Sequence, residues 1–236
     1  MLAVPLSALV AHAVGISVLR GDDSLRSTAD PLPVALTLLP STLIAQLIVN
    51  AAPIAVFALA QAGVASQFQY SFSLARIPLF MVVPLQSMLI SPFAQMIEQA
   101  DRAEFVRRVR LGATILLALA ITGCLLGAIL GPPIIEFVFG AGRSLEGFGV
   151  GLLVGAVIVH VALIIGTQLL LAARRPQDVA ISWTVALAAA AVVLVALAVP
   201  AGITLASGSA VLVGSAAGAI VALRRSLNAL RSKDAS

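Results

Sequence analysis

Charge is scarce in this sequence. Asp, Glu, Lys and Arg make up 10% of its 236 residues, whereas an ordinary soluble domain carries about 25%. A chain so poor in polar surface cannot cover a water-facing exterior. Cysteine is nearly absent too: Cys124 stands alone, which excludes an intrachain disulfide and a cysteine metal site. The two histidines, His12 and His160, lie too far apart for the close ligand spacing of a zinc motif. There is no GxSxG, no P-loop and no HExxH. The chain is therefore expected not to be an enzyme and to use neither a metal nor a cofactor. One further absence bears on mechanism: no Asp or Glu falls within the core of an apolar run, since Glu98 and Glu136 stand at the ends. No carboxylate relay for protons or sodium is evident.

What is present is apolar. Hydrophobic residues account for 61% of the chain and the mean hydropathy is +1.11. A net charge of +4 raises the question of a nucleic-acid partner. The basic residues, however, sit in short clusters between apolar runs, the pattern of membrane topology, so nucleic acid is not expected. A transmembrane helix needs about 20 mostly apolar residues. Segments 2–19, 33–60, 67–98, 111–131, 148–173, 179–200 and 203–223 meet or approach that length. The expected fold is thus an all-α membrane protein of about seven transmembrane helices. It divides into a lone helix at 1–19, a polar linker at 20–32 (RGDDSLRSTADP), a six-helix lobe at 33–223 and a basic tail at 224–236.

Cytoplasmic loops near membrane spans are enriched in Lys and Arg. Seven alternating spans put Arg20, Arg26, Arg102, Arg107, Arg108, Arg110, Arg174, Arg175, Arg224, Arg225, Arg231 and Lys233 on one side, and only Arg143 on the other. The C-terminus is accordingly expected in the cytoplasm and Met1 outside. A signal peptide at 1–19 is the rival reading, but no basic region precedes its apolar run.

Small residues repeat every four positions at Gly123, Gly127 and Gly131, at Gly147, Gly151 and Gly155, and at Ala206, Ala210, Gly214, Gly218 and Ala222. Such ridges let membrane helices approach closely. Polar residues also recur on helical stripes: Thr42, Gln46 and Asn50; Gln69, Ser73 and Arg76, resumed at Ser87, Ser91 and Gln95; and His160, Thr167 and Gln168. Each group alone reads as hydrogen-bonding glue between helices, whereas together they read as the lining of a polar cavity. Gln46, Asn50, Gln69, Ser73, Arg76, His160 and Gln168 are the candidate substrate-binding residues. Arg76 has three readings: a side chain snorkelling to the interface, a two-pronged ligand for an anion such as pyrophosphate, or half of a structural ion pair. Pro53, Pro78, Pro84 and Pro92 are candidate hinges, because each lacks an N–H and frees a carbonyl one turn earlier.

Two stretches carry a family resemblance. GVASQFQYSFSLARIPLFMVVPLQSMLISPFAQM, followed by EQADRAEFVRRVR, and then IIEFVFGAGRSLEGFGVGLLV resemble the multidrug/oligosaccharidyl-lipid/polysaccharide exporter superfamily. More narrowly, they are similar to Wzx-type polysaccharide-biosynthesis flippases and lipid II flippases. The resemblance covers about residues 33–200. It implies two six-helix lobes around a central cavity, with both termini in the cytoplasm. Segment 1–19 would then be the last helix of a first lobe, 20–32 the lobe connector and 33–223 the second lobe. The other lobe would come from the same or a separate polypeptide.

The function that follows is flipping or export of a lipid-linked, anionic saccharide across the cell membrane by alternating access. The alternatives are a multidrug cation antiporter of the same superfamily and a non-transporting scaffold or accessory subunit. The bilayer and the anionic saccharide are the expected partners.

Overall fold

The structure, a computed structural model, describes residues 31–82, 85–99 and 102–233. The expected helix at 1–19, most of the linker and Pro84 lie outside the described residues. Those that are described form eight helices and no strand: α1 (Pro31–Leu59), α2 (Ala62–Ala75), α3 (Ile77–Val82), α4 (Gln86–Gln99), α5 (Arg102–Phe139), α6 (Gly147–Ala172), α7 (Pro176–Ala198) and α8 (Ile203–Lys233). Among the described residues, five helices are long and apolar enough to cross a membrane: α1, α5, α6, α7 and α8. The protein is an all-α membrane protein. Its bundle belongs to the compact unit that runs from Leu36 onward.

The helix at the centre is α6, which packs against α2, α3, α4, α5, α7 and α8. Its neighbours come close because the small-residue ridges meet. A Cβ added at Gly151 would stand 2.5 Å from the Cys124 carbonyl oxygen, so α5 and α6 touch backbone to backbone. On α8, a Cβ at Gly214 would stand 2.6 Å from the Ala186 carbonyl oxygen of α7. Ala206, Ala210, Gly214, Gly218 and Ala222 are all buried. Leu, Val and Phe side chains cover the outer faces, as at Leu43, Leu117, Ile129 and Val195, where lipid is the natural solvent.

Segment 67–98, expected to be one long bent helix, is three short ones. The first break falls at Arg76. Pro78 has no N–H to give the Leu74 carbonyl, and Arg76 caps α2 in a helical-region conformation (φ −79°, ψ −6°). The chain re-enters a helix at once, with Leu79 N–H bonding to the Arg76 carbonyl at 3.0 Å. None of the three pieces is long enough to cross a bilayer, yet together they run the length of α6. Near its start, α2 meets the α5–α6 connection through Gln67 and Gly142. The end of α4 packs through Phe93, Met96 and Ile97 on the cluster of Phe105 from α5 and Leu169 at the far end of α6, with Leu227 of α8.

Two other segments overrun their expected limits. Arg102, Arg107, Arg108 and Arg110, expected in a loop, belong to α5, whose 38 residues extend about 57 Å at 1.5 Å per residue. Glu104 supports this extension by bonding Arg107 and Arg108 one turn on, and Phe105 is buried against α6 and α8. At its other end α5 continues through Pro132 and Pro133. Pro132 leaves the Ala128 carbonyl without its intrahelical donor, and Gly147 brings its backbone against that oxygen. A side chain at 147 would collide there. Likewise α8 continues through the basic tail to Lys233.

Alternation of the helices brings Arg107, Arg108, Arg110, Arg174, Arg175, Arg224 and Arg225 to one end of the bundle, and Arg143 to the other. At the basic end Asp178 is 4% exposed. Its carboxylate pairs with Arg175 at 2.6 Å and with Arg225 of α8, tying the start of α7 to the end of α8.

Candidate functional site

The break between α2 and α3 is where the bundle departs furthest from regular structure, and Arg76 sits in it. Its guanidinium carbon lies 5.2 Å from the centre of the Phe72 ring and 5.8 Å from that of Phe80. Two aromatic faces, one from each side of the break, thus hold the cation. Among the described residues no carboxylate reaches it, and its buried Nε has no hydrogen-bond partner. Gln69, two turns earlier on the same stripe, gives a weak bond from Nε2 to Ser73 Oγ at 3.4 Å, while its own buried Oε1 is unmatched. Buried polar atoms are nearly always paired in folded proteins. Arg76 and Gln69 therefore leave one donor and one acceptor unspent on the same helix face.

The third stripe is divided. His160 is 2% exposed and turns toward α7 and α8: its Nδ1 is 2.9 Å from Ser215 Oγ, and its ring centre is 5.6 Å from that of Trp183. Thr167 is buried and spends its hydroxyl on the Ile164 carbonyl of its own helix. Gln168 faces α4 instead, giving a bond to Gln86 Oε1 at 3.4 Å. On α1, Asn50 donates to the Gln46 carbonyl at 2.8 Å and to its Oε1 at 3.3 Å. That pair satisfies itself along one helix, and no bond joins it to Arg76.

The candidate hinges also separate. Pro78 stands at the break, whereas Pro53 and Pro92 lie inside α1 and α4 without interrupting them.

Several participants carried no sequence signal. Ser215 follows Gly214 in the small-residue ridge, where a serine reads as one more small residue. Trp183 is the single tryptophan, and its partner His160 lies 23 positions away. Gln86 is one polar residue beside the proline-rich stretch. Ser71 lies two places from both Gln69 and Ser73, off their stripe; it is buried and accepts the Leu145 N–H at 3.1 Å.

Chemically, the arrangement offers a guanidinium with no counter-charge among the described residues, an unspent amide oxygen and aromatic surface in an apolar bundle. That suits an anion with a hydrogen-bonding, partly apolar body. Among the described residues no group of His, Cys, Asp and Glu is assembled to hold a metal ion. Compared with protein-family models, curated proteins and solved structures, the chain matches none.

Proposed function

We propose that this chain is a lobe of a membrane transporter that moves a lipid-linked, anionic saccharide across the cell membrane by alternating access. One observation carries the reading: Arg76, held between two aromatic rings at a helix break, has no carboxylate partner among the described residues. A charge at membrane depth is costly and is normally matched by a partner or a ligand. A discontinuous helix beside it is the usual architecture of a transporter binding site. Counting α2–α4 as one broken crossing gives a six-crossing lobe, and segment 1–19 would be the seventh. A cation antiporter would want a free carboxylate in the bundle, and Asp178 is already spent on Arg175 and Arg225.

The test is the Arg76 series in the complete two-lobed transporter. Arg76→Lys keeps the charge and loses the planar two-pronged geometry. Each charge-assisted bond lost is worth about 1.5–3 kcal/mol, so flipping activity per inserted protein should fall about ten-fold or more. Arg76→Ala should fall further, with insertion unchanged. Full activity in Arg76→Ala would remove the residue from the site. Loss of insertion in Arg76→Ala would mark it as a structural ion pair.

The orientation we propose puts the basic end in the cytoplasm. In a Cys124→Ala background, a cysteine at exposed Gln177 should react only with reagents inside the cell, and one at exposed Ala141 only with reagents outside. The reverse pattern would overturn it.

A further inference from the structure

The outer face of α8 has two parts that fit one kind of molecule. Val213 and Ile220 are 43% and 51% exposed, and with Arg224 they fall at i, i+7 and i+11, which is one line along a helix of 3.6 residues per turn. That line is about 16 Å long from Val213 to Arg224 at 1.5 Å per residue, about half of the ~30 Å hydrocarbon core and so one leaflet deep. Asn228, also exposed, continues it one turn on. Beside Arg224, the Arg225 side chain is 38% exposed and pairs with the buried Asp178, which Arg175 also contacts. Two arginines share one carboxylate there, so a positive charge is left over. Arg224 adds a second, without an ion-pair partner among the described residues.

We propose that this face of α8 binds an anionic phospholipid. Arg224, Arg225 and Asn228 meet the headgroup phosphate, and an acyl chain lies along Ile220 and Val213. The recognition is two-part: guanidinium groups bind phosphate oxygens in pairs, and the apolar line selects a ligand that carries a chain. A free phosphate would use the first part only. Asp178 contributes by positioning: anchored below the surface, it holds Arg225 and Arg175 close together at the headgroup level without cancelling both. On α5, by contrast, Arg107 and Arg108 are bonded to Glu104 of their own helix, and among the described residues no ion pair from another helix reaches either arginine.

The experiment uses the purified full chain in neutral detergent, loaded with phosphatidylglycerol or phosphatidylcholine, with retained lipid counted after washing. Wild type should keep phosphatidylglycerol in preference to phosphatidylcholine. Arg224→Gln, an exposed position, should elute as wild type and keep about five-fold less, the factor expected for one basic residue at an anionic lipid surface. Ile220→Ser, which leaves the charges alone, should also lower retention. Arg107→Gln should not. Inorganic phosphate added in millimolar excess should fail to displace the lipid. Wild-type retention in Arg224→Gln overturns the proposal, as does an equal loss in Arg107→Gln, which would mean non-specific attraction to the basic end. Unchanged retention in Ile220→Ser, or displacement by inorganic phosphate, overturns it in favour of a bare phosphate site.

Discussion

Between α5 and α8 the helices touch backbone to backbone; between α1 and α4 they touch through side chains such as Val56, Phe68, Phe72 and Leu79. The difference follows from what lipid does and does not drive. Leucine gains little by leaving a hydrocarbon solvent, so helices associate there through close packing and hydrogen bonds. Glycine at 151 and 214 permits that closeness. The α1–α4 region lacks such ridges. It is held instead by a phenylalanine cluster and by polar ties to the rest of the bundle, and it keeps the unmatched groups of Arg76 and Gln69. A tightly zipped frame beside a looser, broken arm is compatible with the motion that the proposed transport would need. Within the frame, hydropathy alone does not tell which helix is central. The apolar stretches of α5 and α6 are comparable in composition, yet 11% of the first is buried against 61% of the second.

The comparison breaks first at its glycines. Gly151→Val or Gly214→Val puts side-chain carbon into a neighbouring helix's carbonyl, where no rotamer change relieves the clash. Either should cost about 3 kcal/mol, the upper range for overpacking. The readout is unfolding in mixed micelles, or expression if the loss is complete. Gly112 of α5 is the control, since a Cβ there meets nothing within 4 Å. Gly112→Ala should be neutral or gain up to about 1 kcal/mol from helix propensity. Equal losses at 112 and 151 would mean that the close approach is not what holds the frame.

A smaller effect is expected at Asp178. Breaking a fully buried ion pair costs about 3–5 kcal/mol. Here the arginine side chains are 39% and 38% exposed, and solvent screening lowers the expectation to about 1–2 kcal/mol for Asp178→Asn. The same micelle unfolding measures it. A loss as large as that of Gly214→Val would show that charge, rather than close packing, joins α7 to α8.

Much of the frame was legible in the sequence, and the reasons are local. The three small-residue ridges read directly as interfaces because a four-residue repeat fixes a helix face. Four of the long helices begin or end within a few residues of their apolar runs. What was not legible depends on neighbours. The apolar run 111–131 stops before two consecutive prolines; only Gly147, 15 residues beyond Pro132, reveals what meets the freed Ala128 carbonyl. Prolines in 67–98 predicted a bend, but whether the helix bends or breaks depends on how Arg76 caps α2. The His160, Thr167 and Gln168 stripe follows helical spacing, yet its members meet different neighbours. Periodicity names a face, however, and not the helix opposite, so the separate partners Ser215 and Gln86 could not be read from it.

The smallest expected effect tests how the arm is tied to the frame. Three bonds join the start of α2 to the α5–α6 connection: Gln67 Nε2 to the Gly142 carbonyl at 3.0 Å, the Leu145 N–H to Ser71 Oγ, and Arg143 Nη1 to the Tyr70 hydroxyl at 3.1 Å. Arg143 also lies over the Tyr70 ring, 5.4 Å from its centre, and Phe139 packs on that ring at 4.8 Å. Two interactions thus share one pair of residues, and substitution can separate them. Tyr70→Phe removes the hydroxyl and keeps the ring, whereas Arg143→Ala removes both. Exposed cation–ring contacts are worth about 0.5–1 kcal/mol, and a neutral hydrogen bond about 0.5–1.5 kcal/mol net. In a double-mutant cycle scored by micelle unfolding, the hydroxyl–guanidinium coupling should come out near 0.5 kcal/mol, because both groups are exposed. Arg143→Ala in the Tyr70→Phe background should still cost a similar amount through the ring. A coupling near zero, with no cost for Arg143→Ala, would leave Ser71 and Gln67 as the only ties, and the arm would be looser at this end than its contacts imply. A coupling above about 2 kcal/mol would exceed what exposed pairs supply, and α2 would then belong to the rigid frame rather than to the looser arm.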